Sequence, residues 1–158
     1  MTGWRVGFTG APLWIAKACN KIQGQVTSAT CAIAQKATER AMLAEPKSTT
    51  QKMKDTFLKR RDMTIELLKD IPGIKCNIPQ GAFYVFPDVS YYFGKSDDAN
   101  TIHNANDLCI YLLNNAHVAF VAGDAFGNPE CIRISYAAAD NRLIEAIKRV
   151  KKQLEKLS

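Results

Sequence analysis

The apolar positions of this chain change period along its length, and the changes predict its elements. Met53, Phe57, Leu58, Ile65 and Leu68 draw a broken helical stripe. Ahead of it, Ser48-Thr49-Thr50-Gln51 has the form of a capping box, and Ile71-Pro72-Gly73 stops it. The pattern predicts a helix of about six turns over 48–71. Leu143, Ile147, Val150, Leu154 and Leu157 recur at four- and three-residue steps and predict a last helix, with Asp140 as its cap. Between the two helices the period shortens. Residues 82–86, bounded by Pro79 and Pro87, predict a strand. So do residues 131–136, with Ile132, Ile134 and Tyr136 on one face and Arg133 and Ser135 on the other. Residues 107–115 suit a short helix and 118–121 a short buried strand, while 88–104 read as a polar, turn-rich loop.

The first 45 residues are less regular. Trp4, Val6 and Phe8 alternate with Arg5 and Gly7, which predicts a short strand over 4–8. Gly10-Ala11-Pro12 breaks it and starts a helix over 12–22 that Gly24 ends. Thr27-Ser28 then caps a second helix through the alanine-rich stretch to about residue 44, closed by Pro46. The chain reads as α/β. Residues 72–158 form a compact α+β unit, 46–71 a connecting helix, and 1–45 part of something larger.

Composition narrows the function. At 158 residues, 47% hydrophobic and 23% charged, the chain has the make-up of a soluble globular domain. No apolar run approaches the roughly 20 residues of a membrane span. The opening residues lack the pattern of a signal peptide. A cytoplasmic location and no membrane partner are expected. Five cysteines, Cys19, Cys31, Cys76, Cys109 and Cys131, make no C-x-x-C pair and read as buried free thiols rather than a metal site or a disulfide framework. The net charge of +6 raises nucleic acid as a partner. The basic residues, however, sit on the helix-like stretches 52–69 and 148–156, interleaved with acids, and read as solvated helix faces. Nucleic acid is not an expected partner.

The chain carries no G-x-S-x-G, H-E-x-x-H or P-loop, and His103 and His117 read as structural or exposed. Arg5 and Arg133 stand out because each occupies a predicted strand opposite an apolar face. An arginine so placed calls for an anion. From spacing alone, an ordinary salt bridge to a carboxylate is the commoner explanation, and a ligand site the rarer one.

Met1-Thr2-Gly3-Trp4-Arg5-Val6-Gly7-Phe8 resembles the segment just downstream of the Schiff-base lysine in fold-type I, pyridoxal-phosphate (PLP) aminotransferases of the aspartate aminotransferase class. Gln23-Gly24-Gln25-Val26-Thr27-Ser28, Pro79-Gln80-Gly81-Ala82-Phe83-Tyr84, Gly123-Asp124-Ala125-Phe126-Gly127 and Arg133-Ile134-Ser135-Tyr136-Ala137 resemble further segments of that family, in family order. Small departures are Ala122, where proline is frequent, and Ala29-Thr30 after Thr-Ser.

The resemblance implies the C-terminal small domain of that fold, preceded by the end of the large domain. It implies that Arg5 holds the phosphate of PLP, that Arg133 binds the α-carboxylate of an amino acid or 2-oxo acid substrate, and that Phe126 lies beside the substrate. Guanidinium suits both anions, since its planar fork makes paired charge-assisted bonds. No metal is implied, and a homodimer is. The intact enzyme would move an amino group from L-aspartate to 2-oxoglutarate. Alanine or aromatic specificity, or a related PLP lyase, stays open. The family's lysine falls four positions before Met1, and its ring-binding aspartate and tyrosine also lie upstream. The 158 residues alone are therefore expected neither to transaminate nor to bind PLP. The alternative outside this class is a non-catalytic, self-associating module.

Overall fold

The structure, a computed structural model, describes residues 2–43 and 48–158. Met1 and the predicted helix stop at Pro46 lie outside the described residues. The chain divides into two compact units, Met1–Thr49 and Thr50–Ser158.

In the first unit, a 3-10 turn at Thr2–Trp4 is followed by helices α1 (Leu13–Val26) and α2 (Ala32–Leu43). The strand predicted over 4–8 does not form. Its alternation is real, but a strand exists only with a neighbour to pair its backbone, and none of the described residues pairs with it. Arg5 instead takes a left-handed backbone, φ 54°. Gly24 does not end α1, because a glycine inside a helix costs only about 1 kcal/mol relative to alanine. The helix stops at Thr27, whose N–H donates to the Gln23 carbonyl at 3.0 Å, and at Ser28 with φ 66°. Thr27-Ser28 thus closes α1 and does not cap α2, which begins four residues later. Of the described residues in α1 and α2, only Ala34 is buried, while Trp14 and Ile33 are almost three-quarters exposed.

The second unit opens with most of α3 (Ser48–Lys69), close to its predicted bounds. Ser48 is itself helical, so it is not the cap, and the Gln51 side chain donates forward to Asp55 Oδ1 at 2.8 Å. The stripe predicted along α3 divides: Ile65 and Leu68 are buried, whereas Met53 and Leu58 face water. Lys52, Lys54, Lys59 and Lys69 are exposed, as are Lys148, Lys152 and Lys156 on or just beyond the last helix.

The sheet is small because two of its strands are very short. β1 (Tyr84–Val85), β2 (Val121–Ala122) and β3 (Ile132–Ser135) lie in the order β1-β3-β2, antiparallel throughout. Single bridges from Lys75 to Asp88 and from Asp88 to Cys131 extend the pairing. The strand predicted over 118–121 forms only from Val121 and is not buried, with Val121 41% exposed. The segment 88–104 is more ordered than a loop. It makes a 3-10 turn at Ser90–Tyr92 and sends Val89, Tyr92 and Ile102 into the core. Tyr92 Oη donates to the Pro72 carbonyl, and burial pushes its hydroxyl up to about 12.

Helix α4 (Ala105–Ala116) has a start that the pattern missed. Asn104 Oδ1 accepts from the Asp107 N–H at 2.9 Å, and Asp107 Oδ2 accepts from the His103 N–H at 3.0 Å, a reciprocal cap. Helix α5 (Asp140–Leu154) buries Leu143, Ile147, Val150 and Leu154, with Leu157 just beyond it. Asp140 is its first helical residue and not its cap. Its carboxylate accepts from Arg60 Nε of α3 at 2.7 Å, which holds the carboxyl below its usual range. Helix α4 packs on α5 and on β2, and the core they share takes in Val85, Ile132, Ile134 and Tyr136 from the sheet's apolar face.

The cysteines are free, but they are not all buried. Cys109 and Cys131 are, Cys76 is half-buried, and Cys19 and Cys31 are exposed on the first unit. Burial pushes the Cys109 thiol up to about 11. Under native conditions at pH 8, iodoacetamide is expected to alkylate Cys109 at least about a hundredfold more slowly than a free thiol, since the thiolate is the nucleophile. Peptide mapping that finds Cys109 modified as fast as Cys19 would contradict its burial.

Candidate functional site

The site begins with the parity of β3. Ile132 and Ile134 point into the core, so Arg133 and Ser135 point to the opposite face. In the antiparallel register Tyr84 lies opposite Ser135 and Val121 opposite Arg133. Tyr84 therefore shares Arg133's face, one diagonal step away. Phe126 arrives from the 3-10 turn Gly123–Phe126 that follows β2.

These placements surround a cation with rings. The Arg133 guanidinium carbon lies 4.5 Å from the Tyr84 ring centre and 4.3 Å from that of Phe126. Phe86 braces Phe126 edge-on, with centroids 6.2 Å apart and planes at 87°. Among the described residues, no carboxylate pairs with Arg133 and none of its N–H groups donates a hydrogen bond. The ordinary salt bridge that spacing alone favoured is absent from this set. A cation held over ring faces, with none of its N–H groups bonded to a described residue, keeps those donors available for a planar anion.

Two backbone devices fix the rings. Gly123 starts the turn that carries Phe126; its N–H donates to the Cys131 carbonyl at 2.8 Å, and its own carbonyl accepts from Asn128 at 3.2 Å. Ala82, just before β1, has φ 61°, a conformation that costs a non-glycine residue about 1–2 kcal/mol. Its carbonyl accepts from Tyr136 Oη at 3.1 Å, and the Arg61 guanidinium donates to the Pro79 carbonyl at 3.1 Å. Tyr84 and Phe86 lay within the predicted strand, yet their role was missed. Their parity, two residues apart on the face away from Val85, was the available signal.

A cleft of about 250 Å³ beside α3 is lined by Lys54, Phe57, Arg61, Gln80 and Tyr136 among others and does not include Arg133. The described residues contain no group of three or more His, Cys, Asp or Glu side chains that could hold a metal. No helix among them is long and apolar enough to cross a membrane. His103 and His117 are exposed, and His117 closes α4 in a left-handed conformation, φ 54°.

Arg5 belongs to the first unit, where it is exposed. The donors there fit one end of PLP. A guanidinium suits its phosphate. For the ring, residues 2–43 offer a single carboxylate, Glu39, already paired with Lys36 at 2.7 Å, and no tyrosine.

The open face of the antiparallel β1-β3-β2 sheet thus carries an arginine set between two aromatic rings. The chain belongs to the aminotransferase class I and II family, whose sequence pattern matches residues 1–150. A bifunctional aspartate aminotransferase and glutamate/aspartate-prephenate aminotransferase of Petunia hybrida is 45% identical over 98% of this chain and 33% of its own length. An aspartate aminotransferase of Rhizobium meliloti (strain 1021) is 39% identical over 100% of this chain and 38% of its own. Among solved structures, an aspartate aminotransferase from Rhizobium meliloti superposes with a TM-score of 0.84 at 38% identity, covering 100% of this chain and 40% of that one. An aromatic aminotransferase from Pyrococcus horikoshii OT3 gives 0.77 at 31% identity, with 98% and 40% covered. The chain thus spans a third to two-fifths of the relatives it matches.

Proposed function

We propose that these residues form the carboxylate-gripping part of a PLP-dependent aminotransferase that moves an amino group from L-aspartate to 2-oxoglutarate. The observation that carries this reading is Arg133: a guanidinium stacked on two rings, on the open face of the sheet, with no carboxylate of the described residues against it. The names of the relatives favour aspartate as the substrate. In this reading Arg133 binds the α-carboxylate in a bidentate clamp, and Phe126 walls the substrate on one side. Fixing the carboxylate orients the Cα–H for proton transfer. Arg5 holds the phosphate of PLP. When bound, that group supplies the carbonyl and the electron sink of amino transfer. In this reading the lysine, aspartate and tyrosine that the family resemblance implies for the ring are not among these residues. The domains follow: 1–45 as the end of a large domain, 46–71 as the connecting helix and 72–158 as the small domain.

The test is Arg133→Lys in an aminotransferase chain that includes these residues. Lysine keeps the charge and loses the fork. We expect kcat/KM for L-aspartate to fall by about 10–10², mainly through KM, consistent with the loss of one charge-assisted hydrogen bond. An unchanged KM would remove Arg133 from substrate binding. The 158 residues alone are expected to show no aspartate:2-oxoglutarate turnover.

The exposed apolar side chains of the first unit favour self-association. Phe8 is 78% and Trp14 74% exposed, with Leu13, Ile22, Val26 and Ile33 also largely uncovered. Apolar surface of this kind commonly meets a partner. We read it as belonging to a homodimer in the cytoplasm, where five free cysteines are at home. The same surface is what a non-catalytic, self-associating module would present. Sedimentation equilibrium giving a monomer at all concentrations would exclude self-association of this chain.

A further inference from the structure

We propose that Tyr84 is a positioning residue for Arg133, a role that rests on the reading of Arg133 as a carboxylate clamp. A guanidinium at the end of a flexible stem has many rotamers, and ordering it on ligand binding costs free energy. In this chain no carboxylate of the described residues orders Arg133, so another contact must. The contacts present are π-faces, Tyr84 at 4.5 Å and Phe126 at 4.3 Å. Of the two, Tyr84 is the better anchored. It lies in β1, pairs with Ser135 of β3, and is half-buried, with the Phe83 ring centre 4.5 Å away. Phe126 sits in a turn and is 46% exposed.

The rings hold the guanidinium by cation–π attraction, and none of its five N–H groups is spent on a carbonyl or carboxylate of the described residues. A carboxylate partner would order the same group but would occupy the edge the substrate needs. Tyr84 therefore acts through Arg133 and requires the negative face of its ring and not its hydroxyl; dependence on that π-electron density is the feature that separates this role from ordinary packing.

The experiment uses the 158-residue chain with its Arg133 Nε–H signal assigned by NMR. Sodium succinate is titrated as the probe, and sodium chloride at matched ionic strength serves as the control. The parent chain is expected to shift with succinate and not with chloride. Tyr84→Phe should keep the affinity within about twofold. Tyr84→Ile, which suits a strand and lacks a π-face, should weaken it by about three- to tenfold. Should Tyr84→Ile fail to fold, 4-fluoro- and 3,4,5-trifluorophenylalanine at position 84 drain the ring's negative face at nearly constant shape. The affinity should then fall stepwise with fluorine content. A flat response across the fluorinated series, or parent-like binding by Tyr84→Ile, overturns the positioning role and leaves the clamp standing. Parent-like binding by Arg133→Lys, or no succinate response in the parent chain, overturns the clamp and the positioning role together.

Discussion

Leu112→Ala is expected to destabilise the second unit by about 3–5 kcal/mol, the upper part of the range for a fully enclosed leucine. Leu112 is 0% exposed in the middle of α4. That helix packs on α5 and on β2, so the site is walled on two sides by elements that each have other partners. Removing the side chain forfeits about 1.5–3 kcal/mol of burial. The rest of the cost is the void, because neither α5, committed through Leu143, Ile147 and Val150, nor the sheet can collapse into it. Leu113, one residue on and 49% exposed, is the matched control, and Leu113→Ala should change stability by less than about 0.5 kcal/mol. All five tyrosines, Tyr84, Tyr91, Tyr92, Tyr111 and Tyr136, lie in the second unit, and both tryptophans, Trp4 and Trp14, in the first. Urea unfolding followed by tyrosine near-ultraviolet dichroism therefore reads the affected unit by itself. A loss below about 1 kcal/mol for Leu112→Ala would mean that the α4–α5 interface is looser than the burial implies.

Gly123→Ala is the other substitution with a large expected cost, about 3 kcal/mol or more. Gly123 is buried, and a methyl group there would land on the Asn128 carbonyl oxygen and 2.5 Å from that of Cys131. Both obstacles are backbone, so no rotamer change relieves them. Relief requires opening the hydrogen bonds from Gly123 to Cys131 and from Asn128 to Gly123, which close the turn beside β3. Overpacking alone costs about 1–3 kcal/mol, and broken buried backbone bonds add to it. The same shift would carry Phe126 away from Arg133, so the variant should lose the ring-current signature of the Arg133 side chain as well as stability. Gly127→Ala is the informative comparison. Gly127 has φ 82° but nothing within 4 Å of an added methyl, so only backbone strain of about 1–2 kcal/mol applies. Equal effects from the two substitutions would refute the close-approach explanation for Gly123.

The second unit was more legible in the sequence than the first, for a physical reason. In α5 and β3 the apolar period is the burial pattern itself, because each element has one face on the core and one away from it. Leu143, Ile147, Val150 and Leu154, and Ile132, Ile134 and Tyr136, fell where the spacing put them. The first unit offers no such agreement. Trp4, Val6 and Phe8 alternate as a strand would, yet no described residue pairs with them, and pairing is a property of two segments rather than one. Gly24 looked like a stop, but a weak helix former inside fourteen helical residues is outvoted by its neighbours. Asn104 was overlooked as a cap because the apolar pattern of α4 begins after it. In the site, parity put Arg133 on the face away from the core, but spacing alone favoured a salt bridge, and only the family resemblance pointed it to a ligand. Of the rings around it, Phe126 was named only through the family resemblance and Tyr84 not at all, because the two are 42 positions apart in the chain and only the β1-β3-β2 order makes them neighbours.

β3 is four residues long, and its odd and even positions serve opposite purposes. Such a strand tolerates changes of kind more readily than changes of count. Exchanging Ile134 for valine would cost little, and Ser135 has latitude because its side chain reaches water. Inserting or deleting one residue within Ile132–Ser135 would exchange the two faces, sending a guanidinium in among leucines and an isoleucine out to the rings. The central strand is a reading frame in miniature, where a single slip changes the meaning of every letter after it.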